Sequence, residues 1–459
     1  MLTYIIRRLL LMIPTLLGIT IVVFTVMVAS PGGISAQSLI AGQNLEPKAK
    51  KAIEDYYNKL YGLDSPPTIQ YLRWLNNISP IGFTLDRENN VSGFSFWKKS
   101  NLGTSFRYGR PVLDLIKERV PITLLLNILS LPLIYIFAIA IGVHAATERG
   151  KAFDLGSSAL MLGLWSIPTM LAGVLLIGFF ASNQYWHWFP TAGLNTRKAL
   201  DMPFLPHWSS MHEVILLFSA SMMGMISGVG LALKAPRLLR SGLLAGLGLG
   251  LGLWMATSLP TPSIGIAILL GGLLAVTAGG LGYMNYTGLR VGIMTLLGAG
   301  AGLAVSIQWN NGEFVRGFLL DRLWHLVLPV LCLTYGSFAF LSKLTRTAIL
   351  ENLMADYART ARAKGLAENV VLWKHVFRNS LLPLITVSTT LLPGLLAGSV
   401  IVESIFSIEG MGKLAVEAVQ ARDRELVLSI TLISGLLTLL GYLIADLCYA
   451  IADPRVSYD

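Results

Sequence analysis

Apolar residues run in long stretches along most of this chain, and ten of them have the length of a membrane-crossing helix. They are Leu9–Ala29, Ile122–Ala146, Leu155–Ala181, Val214–Leu233, Ser241–Leu259, Ile264–Met284, Val291–Ile307, Leu323–Leu341, Leu381–Val402 and Leu426–Ile451. About 17–25 residues cross a hydrocarbon core as a helix. Helices are required because that core offers no water to exposed backbone groups. The pattern predicts an all-α polytopic membrane protein; a transmembrane β-barrel would show ~10-residue alternating segments instead.

Polar positions mark the loops. Within the long loop 30–121, PKAKKAIEDYYNKLYGLD from Pro47 and IQYLRWLNNI after an SPP turn signal predict small helices against the outer face of the spans. The loop closes with NLGTSFRYGRPVLDLIKERVPITLLL, where Pro111 can open a short helix and Pro121 the second span. With the N-terminus inside, the returns to the cytoplasm carry Arg149 and Lys151, then Lys234, Arg237 and Arg240, then Arg290. The outward loop SLPTPS, Ser258–Ser263, carries no charge, so the distribution follows the positive-inside rule. The apolar run after Arg7 and Arg8 exceeds the ~7–15 residues of a signal-peptide core, and it reads as a retained first span.

Composition sharpens this picture. Of 459 residues, 54% are hydrophobic and 13% charged, against about 25% charged in a soluble domain. The net charge of +10 is explained by topology-setting loop residues, and nucleic acid is not an expected partner. Cys332 and Cys448 fall inside apolar spans, which leaves no disulfide framework and no spaced metal-ligand set. Spans four to seven are rich in small residues, with Gly242, Gly246 and Gly250 at the four-residue spacing that lets helix backbones approach in lipid; apolar, Gly-rich low complexity is the other reading of the same stretch.

Catalytic signatures are missing. There is no G-x-x-x-x-G-K-[ST] phosphate loop, no H-E-x-x-H and no G-x-S-x-G. His144, His325 and His375 lie near span ends or in the cytoplasmic segment and read as structural. Asp446 is the clearest acid within a span, and its place near the cytoplasmic end predicts a partner there. A proton- or sodium-driven transporter would be expected to carry more buried charge.

One polar stretch, DYARTARAKGLAENVVLWKHVFRNSLLP from Asp356 to Pro383, stands between apolar segments. DYARTARAK predicts a helix that Gly365 ends. After it, Leu366, Val370, Val371 and Phe377 recur at roughly helical spacing, predicting a short amphipathic surface helix. A groove on another protein and an anionic lipid surface fit that pattern equally.

This stretch closely resembles the cytoplasmic EAA loop of binding-protein-dependent ABC import permeases, in particular the dipeptide/oligopeptide permease family. The pattern's E-A-A and Gly positions read Arg359, Thr360, Ala361 and Gly365, similar to the peptide branch's R-T-A-R-A-K-G-L, and H-x-x-R-N-x-x-L-P is matched by His375, Arg378, Asn379, Leu382 and Pro383. The first span, NLGTSFRYGRPV, VIVESIF and DLCYAIADPRVSY look like this family too, so the likeness covers roughly Met1–Gly193 and Asp321–Asp459.

The resemblance implies a type I ABC importer transmembrane domain in a bacterial inner membrane, with both termini cytoplasmic. It would form a path for peptides or peptide-like solutes. Its partners would be a second homologous permease, two ATPases and an extracytoplasmic solute-binding protein. No catalytic, cofactor or metal residue is expected in this chain, ATP and Mg belonging to the ATPases. The coupling loop 343–380 would dock on an ATPase through Arg359, Thr360, Ala361, Arg362, Ala363, Lys364, Gly365, Leu366, Glu368, His375, Arg378, Asn379 and Pro383. An extracytoplasmic loop with Glu403, Phe406, Glu409, Gly410 and Gly412 would lie near the substrate path.

Two departures stand out. The family has six spans, so residues 194–320 form an inserted region of about four extra spans between permease parts 1–193 and 321–459. Both ends of the insert stay outside, which preserves the core topology. The second departure is SIEGMGKL, with Glu409 where the family has Pro before Gly-x-Gly. The other readings are a self-contained secondary transporter or channel, and a membrane scaffold without substrate-linked ATP turnover.

Overall fold

The computed structural model describes residues 2–30, 46–60, 64–85, 91–206, 211–257, 259, 263–283, 287–309, 315 and 317–452. Most of the expected SLPTPS loop, the YGL of the first outer helix segment and the DPRVSYD tail lie outside the described residues. Ten helical stretches occupy the expected spans: α1 (Leu2–Ala29), α4 (Val112–Thr147), α5 with α6 (Ala152–Ser166 and Thr169–Leu176), α7 (Met211–Lys234), α8 (Arg237–Thr257), α9 (Ile264–Tyr283), α10 (Thr287–Trp309), α11 (Gly317–Met354), α14 (Phe377–Ile405) and α16 (Arg424–Ala452). Among the described residues, seven helices are long and apolar enough to cross a membrane, or eight with the bent α5–α6 pair as one span.

Two compact units divide the chain. The first joins residues 1–129 to 373–459. Here α1 and α14 pack on α16. The outer-loop helices form as α2 (Pro47–Leu60) and α3 (Pro67–Ile78). Tyr71 of α3 meets α1 through a 2.9 Å hydrogen bond between its hydroxyl and Thr20, and its ring lies 5.3 Å from Phe24. Loop 30–121 also holds a strand pair that the helical reading does not include, β1 (Gly82–Leu85) antiparallel with β2 (Val91–Ser95). Asn76 ties it to α3, exchanging 2.9 Å hydrogen bonds with both backbone groups of Phe83. Asp446 finds its partners on α1, accepting from Tyr4 at 2.9 Å and pairing with Arg8 at 2.7 Å.

The second unit spans residues 130–372. Its third span is broken rather than continuous: α5 and α6 meet at 96°. Pro168 explains the break, because it donates no hydrogen bond and holds Ile167 in an extended conformation. The freed Ile167 carbonyl accepts from the Tyr335 hydroxyl at 2.6 Å, which meets the backbone's needs in a water-free core. Asp154, 2% exposed, opens α5 and takes a two-pronged pair from Arg346 of α11 and the Gly150 N–H at 2.9 Å.

Helices α7 to α10 pair as α7 with α10 and α8 with α9. Glycine contacts at four-residue spacing zip them, but in a different register from that expected. Gly242, Gly246 and Gly250 have open space where a Cβ would stand. Gly248 and Gly252 instead meet the backbone of α9, and Gly224 and Gly228 meet that of α10, where Gly298 and Gly302 return the contact. Gly298→Val should lower the melting temperature of the purified chain, an overpacking cost of about 1–3 kcal/mol. Gly300→Val, two residues away with nothing within 4 Å, should change it far less. Thermal unfolding followed by circular dichroism compares them, and equal effects would refute the zipper.

Candidate functional site

The polar stretch folds first as α12 (Asp356–Ala363), which packs on the end of α11. Ala358 and Ala361 are its buried face, and their small side chains let it lie close. Asp356 in the first turn suits the positive end of the helix dipole. The helix stops as the sequence predicts. Gly365 is left-handed at φ +77°, its N–H donates to Arg362 O at 2.9 Å and the Leu366 N–H to Ala361 O at 3.4 Å. This pair of bonds is a Schellman termination, and only glycine takes that backbone without steric cost.

Arg362 holds the turn together. It donates to Glu368 at 2.8 Å across the turn and to the Leu353 carbonyl at the end of α11 at 3.2 Å. Residues 363–370 are exposed throughout, with Leu366 and Val370 presenting apolar side chains among polar ones. Arg359, Thr360, Arg378, Asn379 and Pro383 are exposed and His375 partly so, whereas Ala361 faces inward. The expected separate amphipathic helix after Gly365 does not form. Glu368–Val370 (α13) runs through a π-helical turn, Val371–Val376, straight into α14. Val371, Leu372 and Val376 are buried there, so the apolar periodicity belongs to the entry of a long helix.

The residues expected in an extracytoplasmic loop come together at the other end of α14. Glu403 is wholly buried, and its carboxylate accepts from Thr123 at 2.7 Å and from the Lys413 N–H at 3.0 Å. The Gly412 N–H also reaches it. These amides open α15 (Met411–Gln420), so the carboxylate sits on a helix N-terminus, where the dipole favours negative charge. A Cβ on Gly410 would overlap the Glu403 carboxylate, and one on Gly412 would overlap the Val400 backbone. Both glycines are there for close approach. Phe406 is buried at 2% exposure. Glu409, at the family's Pro position, pairs with Arg119 and with Lys413 at 2.6 Å.

A second buried carboxylate was not singled out from sequence. Asp423, wholly buried, accepts from Ser105 at 2.6 Å and from the N–H groups of Arg107 and Leu426, the last capping α16. It thereby anchors the NLGTSFRYGRPV segment. Beside it Tyr108 donates to Glu417, and burial together with that carboxylate pushes the phenol up to about 12, so it remains a donor at physiological pH. Arg424 reaches back to Gln70 of α3 at 2.8 Å.

Comparison with known proteins decides what this arrangement belongs to. A family model described as "Binding-protein-dependent transport system inner membrane component" matches residues 138–458, and its N-terminal companion matches residues 1–127. The chain belongs to this family. It is therefore a membrane-embedded permease component of an ABC importer, a family that works with ATPase and solute-binding partners. The permease is 31% identical to the oligopeptide transport system permease protein AppB of Bacillus subtilis, with 100% of both chains covered. It is 27% identical to the di/tripeptide transport system permease protein DppB of Pseudomonas aeruginosa, covering 100% of this chain and 99% of that one. It is 25% identical to the inner membrane ABC transporter permease protein YejB of Escherichia coli O157:H7, with 99% of each covered.

Two measurements test the α14–α15 turn of the permease. Gly410→Ala should destabilise it by about 1–3 kcal/mol through overlap with Glu403, and the double variant with Glu403→Asp should recover part of the loss. Simple additivity in a thermal-stability cycle would refute the contact. For Glu409, burial pushes the carboxyl up, but Lys413 and Arg119 outweigh it and hold it below its ordinary value. Its stabilisation is present above the ordinary carboxylate range and lost as pH falls through the lowered value. Glu409→Gln should therefore lower stability slightly at pH 7, by less than about 1 kcal/mol for a half-exposed pair. That difference should vanish in strong acid.

Proposed function

We propose that this permease forms half of the translocation path for peptides or peptide-like solutes. It would pair with a second homologous permease, with two separate ATPase subunits that hydrolyse ATP and with an extracytoplasmic binding protein that delivers the solute. Both chain termini face the cytoplasm in this reading, and residues 194–320 are an insertion beside the six-span core. ATP and Mg belong to the ATPases, and this chain supplies no catalytic group.

The observation that carries the reading is the exposed turn after α12, pinned by Gly365 and Arg362 at the end of a 38-residue helix. At about 1.5 Å per residue α11 is ~57 Å long, well beyond a ~30 Å hydrocarbon core. That length leaves room for its last turns and α12 to stand outside the membrane, and in this reading they do so on the side that an ATPase would occupy. Peptides are the favoured solute because two of the relatives above are named for oligopeptide and di/tripeptide transport.

The docking role is tested by co-purification with the cognate ATPase. Gly365→Pro removes the left-handed turn and Arg362→Glu turns the clamp on Glu368 and Leu353 into repulsion. Each should cut recovery of the complex and coupled ATPase activity by about tenfold, a 1.4 kcal/mol loss of association. Full association by both variants would refute docking through this loop. In proteoliposomes holding all partners, peptide uptake should require ATP and the binding protein; uptake indifferent to both would refute the importer reading.

A further inference from the structure

Between Glu213 and Glu313 the chain contains no Asp or Glu, yet it holds Lys234, Arg237, Arg240 and Arg290. The fold gathers all four at one end of the α7–α10 helices. Lys234 ends α7, Arg237 and Arg240 lie in the first turn of α8, and Arg290 is the fourth residue of α10. Arg240 is 3% exposed. It donates to Ala232 O at 3.1 Å and Ala235 O at 3.0 Å where α7 ends, and to Gly282 O at 3.3 Å where α9 ends. It thus ties together the carbonyl ends of two helices.

Those carbonyls do not complete its needs. The second amino nitrogen of Arg240 and Nε of Arg290 are buried without a hydrogen-bond partner. The guanidinium groups of Arg290 and Arg237 lie close enough to act electrostatically on Arg240, and they repel it. Among the described residues no carboxylate pairs with any of the three arginines. A buried cation lacking an opposite charge is strongly disfavoured, so the counter-charge comes from outside this helix group. The site lies at the end of membrane-spanning helices, where arginine pairs with phosphate through paired donors.

We propose that Arg237, Arg240 and Arg290 bind the phosphate of an anionic phospholipid headgroup, in the leaflet facing the ends of α7 and α9. Basic pockets between membrane helices bind such headgroups, each charge adding about fivefold in affinity. The phosphate sets a negative charge against the three positive ones, offsetting part of their repulsion, and fills the hydrogen-bonding capacity left open at Arg240 and Arg290.

The test uses the full chain exchanged into nanodiscs of equal phosphatidylglycerol and phosphatidylcholine, then returned to mild detergent. Retained lipid is counted by native mass spectrometry. Wild type should retain phosphatidylglycerol in preference to phosphatidylcholine. Arg237→Gln with Arg290→Gln should reduce that retention by about an order of magnitude or more. Among the described residues neither of these two makes a backbone clamp like that of Arg240, so circular dichroism should show the fold unchanged. Arg290→Lys, which keeps the charge, should retain most of the lipid, and Lys198→Gln, at an exposed position in the 3-10 turn Arg197–Asp201, should retain all of it. Equal retention by the double variant, or no preference for the anionic lipid, would overturn the proposal. So would millimolar inorganic phosphate displacing the lipid and stabilising the protein equally well, since the site would then serve a free phosphate.

Discussion

The buried carboxylate of Glu403 and the first amides of α15 form the contact on which the α14–α15 end of the first unit depends. An uncompensated charge at zero exposure would be prohibitive, so the helix N-terminus must lie against it. That requirement admits no side chain at Gly410 or Gly412 and calls the Thr123 hydroxyl inward from α4. Met411 completes the arrangement by donating its N–H to the same threonine at 2.9 Å. One acidic residue therefore sets the approach of three helices. Asp423 repeats the device ten residues after Lys413, joining α16 to the segment around Ser105.

Two helix-ending turns in the same unit use residues other than glycine. The α14–α15 turn places Ser407 at φ 52° and the α15–α16 turn places Arg422 at φ 54°, each with the bond pair seen at Gly365. A left-handed non-glycine residue costs about 1–2 kcal/mol. The buried carboxylates adjoining both turns, with their several charge-assisted hydrogen bonds, offset that cost. At Gly365 no buried carboxylate adjoins the turn, and the permissive residue does the work alone.

Sequence legibility followed the range of the interaction. Span positions and the stop at Gly365 depend on local apolar length and local backbone preference, and both were readable. The α8 glycine face was not, because GLGLGLG places glycine at every second residue. Gly246 with Gly250 and Gly248 with Gly252 then share the same spacing, and only the facing helix selects one register. The break at Pro168 had a visible signal that the uninterrupted apolar count concealed. Ser105 with Asp423 lies 318 residues apart, and no spacing rule links such a pair. Likewise Val370 and Val371 carry a helical period whether they belong to a surface helix or to the first turns of a spanning one.

Proline 329 gives α11 a mechanical character. It lies inside the helix, where it removes the backbone hydrogen bond to His325 and weakens bending resistance at that point. From Pro329 to Met354 the rod runs about 38 Å at 1.5 Å per residue. A rotation of about 5° at the proline carries the far end through roughly 3 Å, the width of one hydrogen bond. Small angular changes deep in the span thus become displacements large enough to make or break contacts at α12, with the rod between acting as a lever arm.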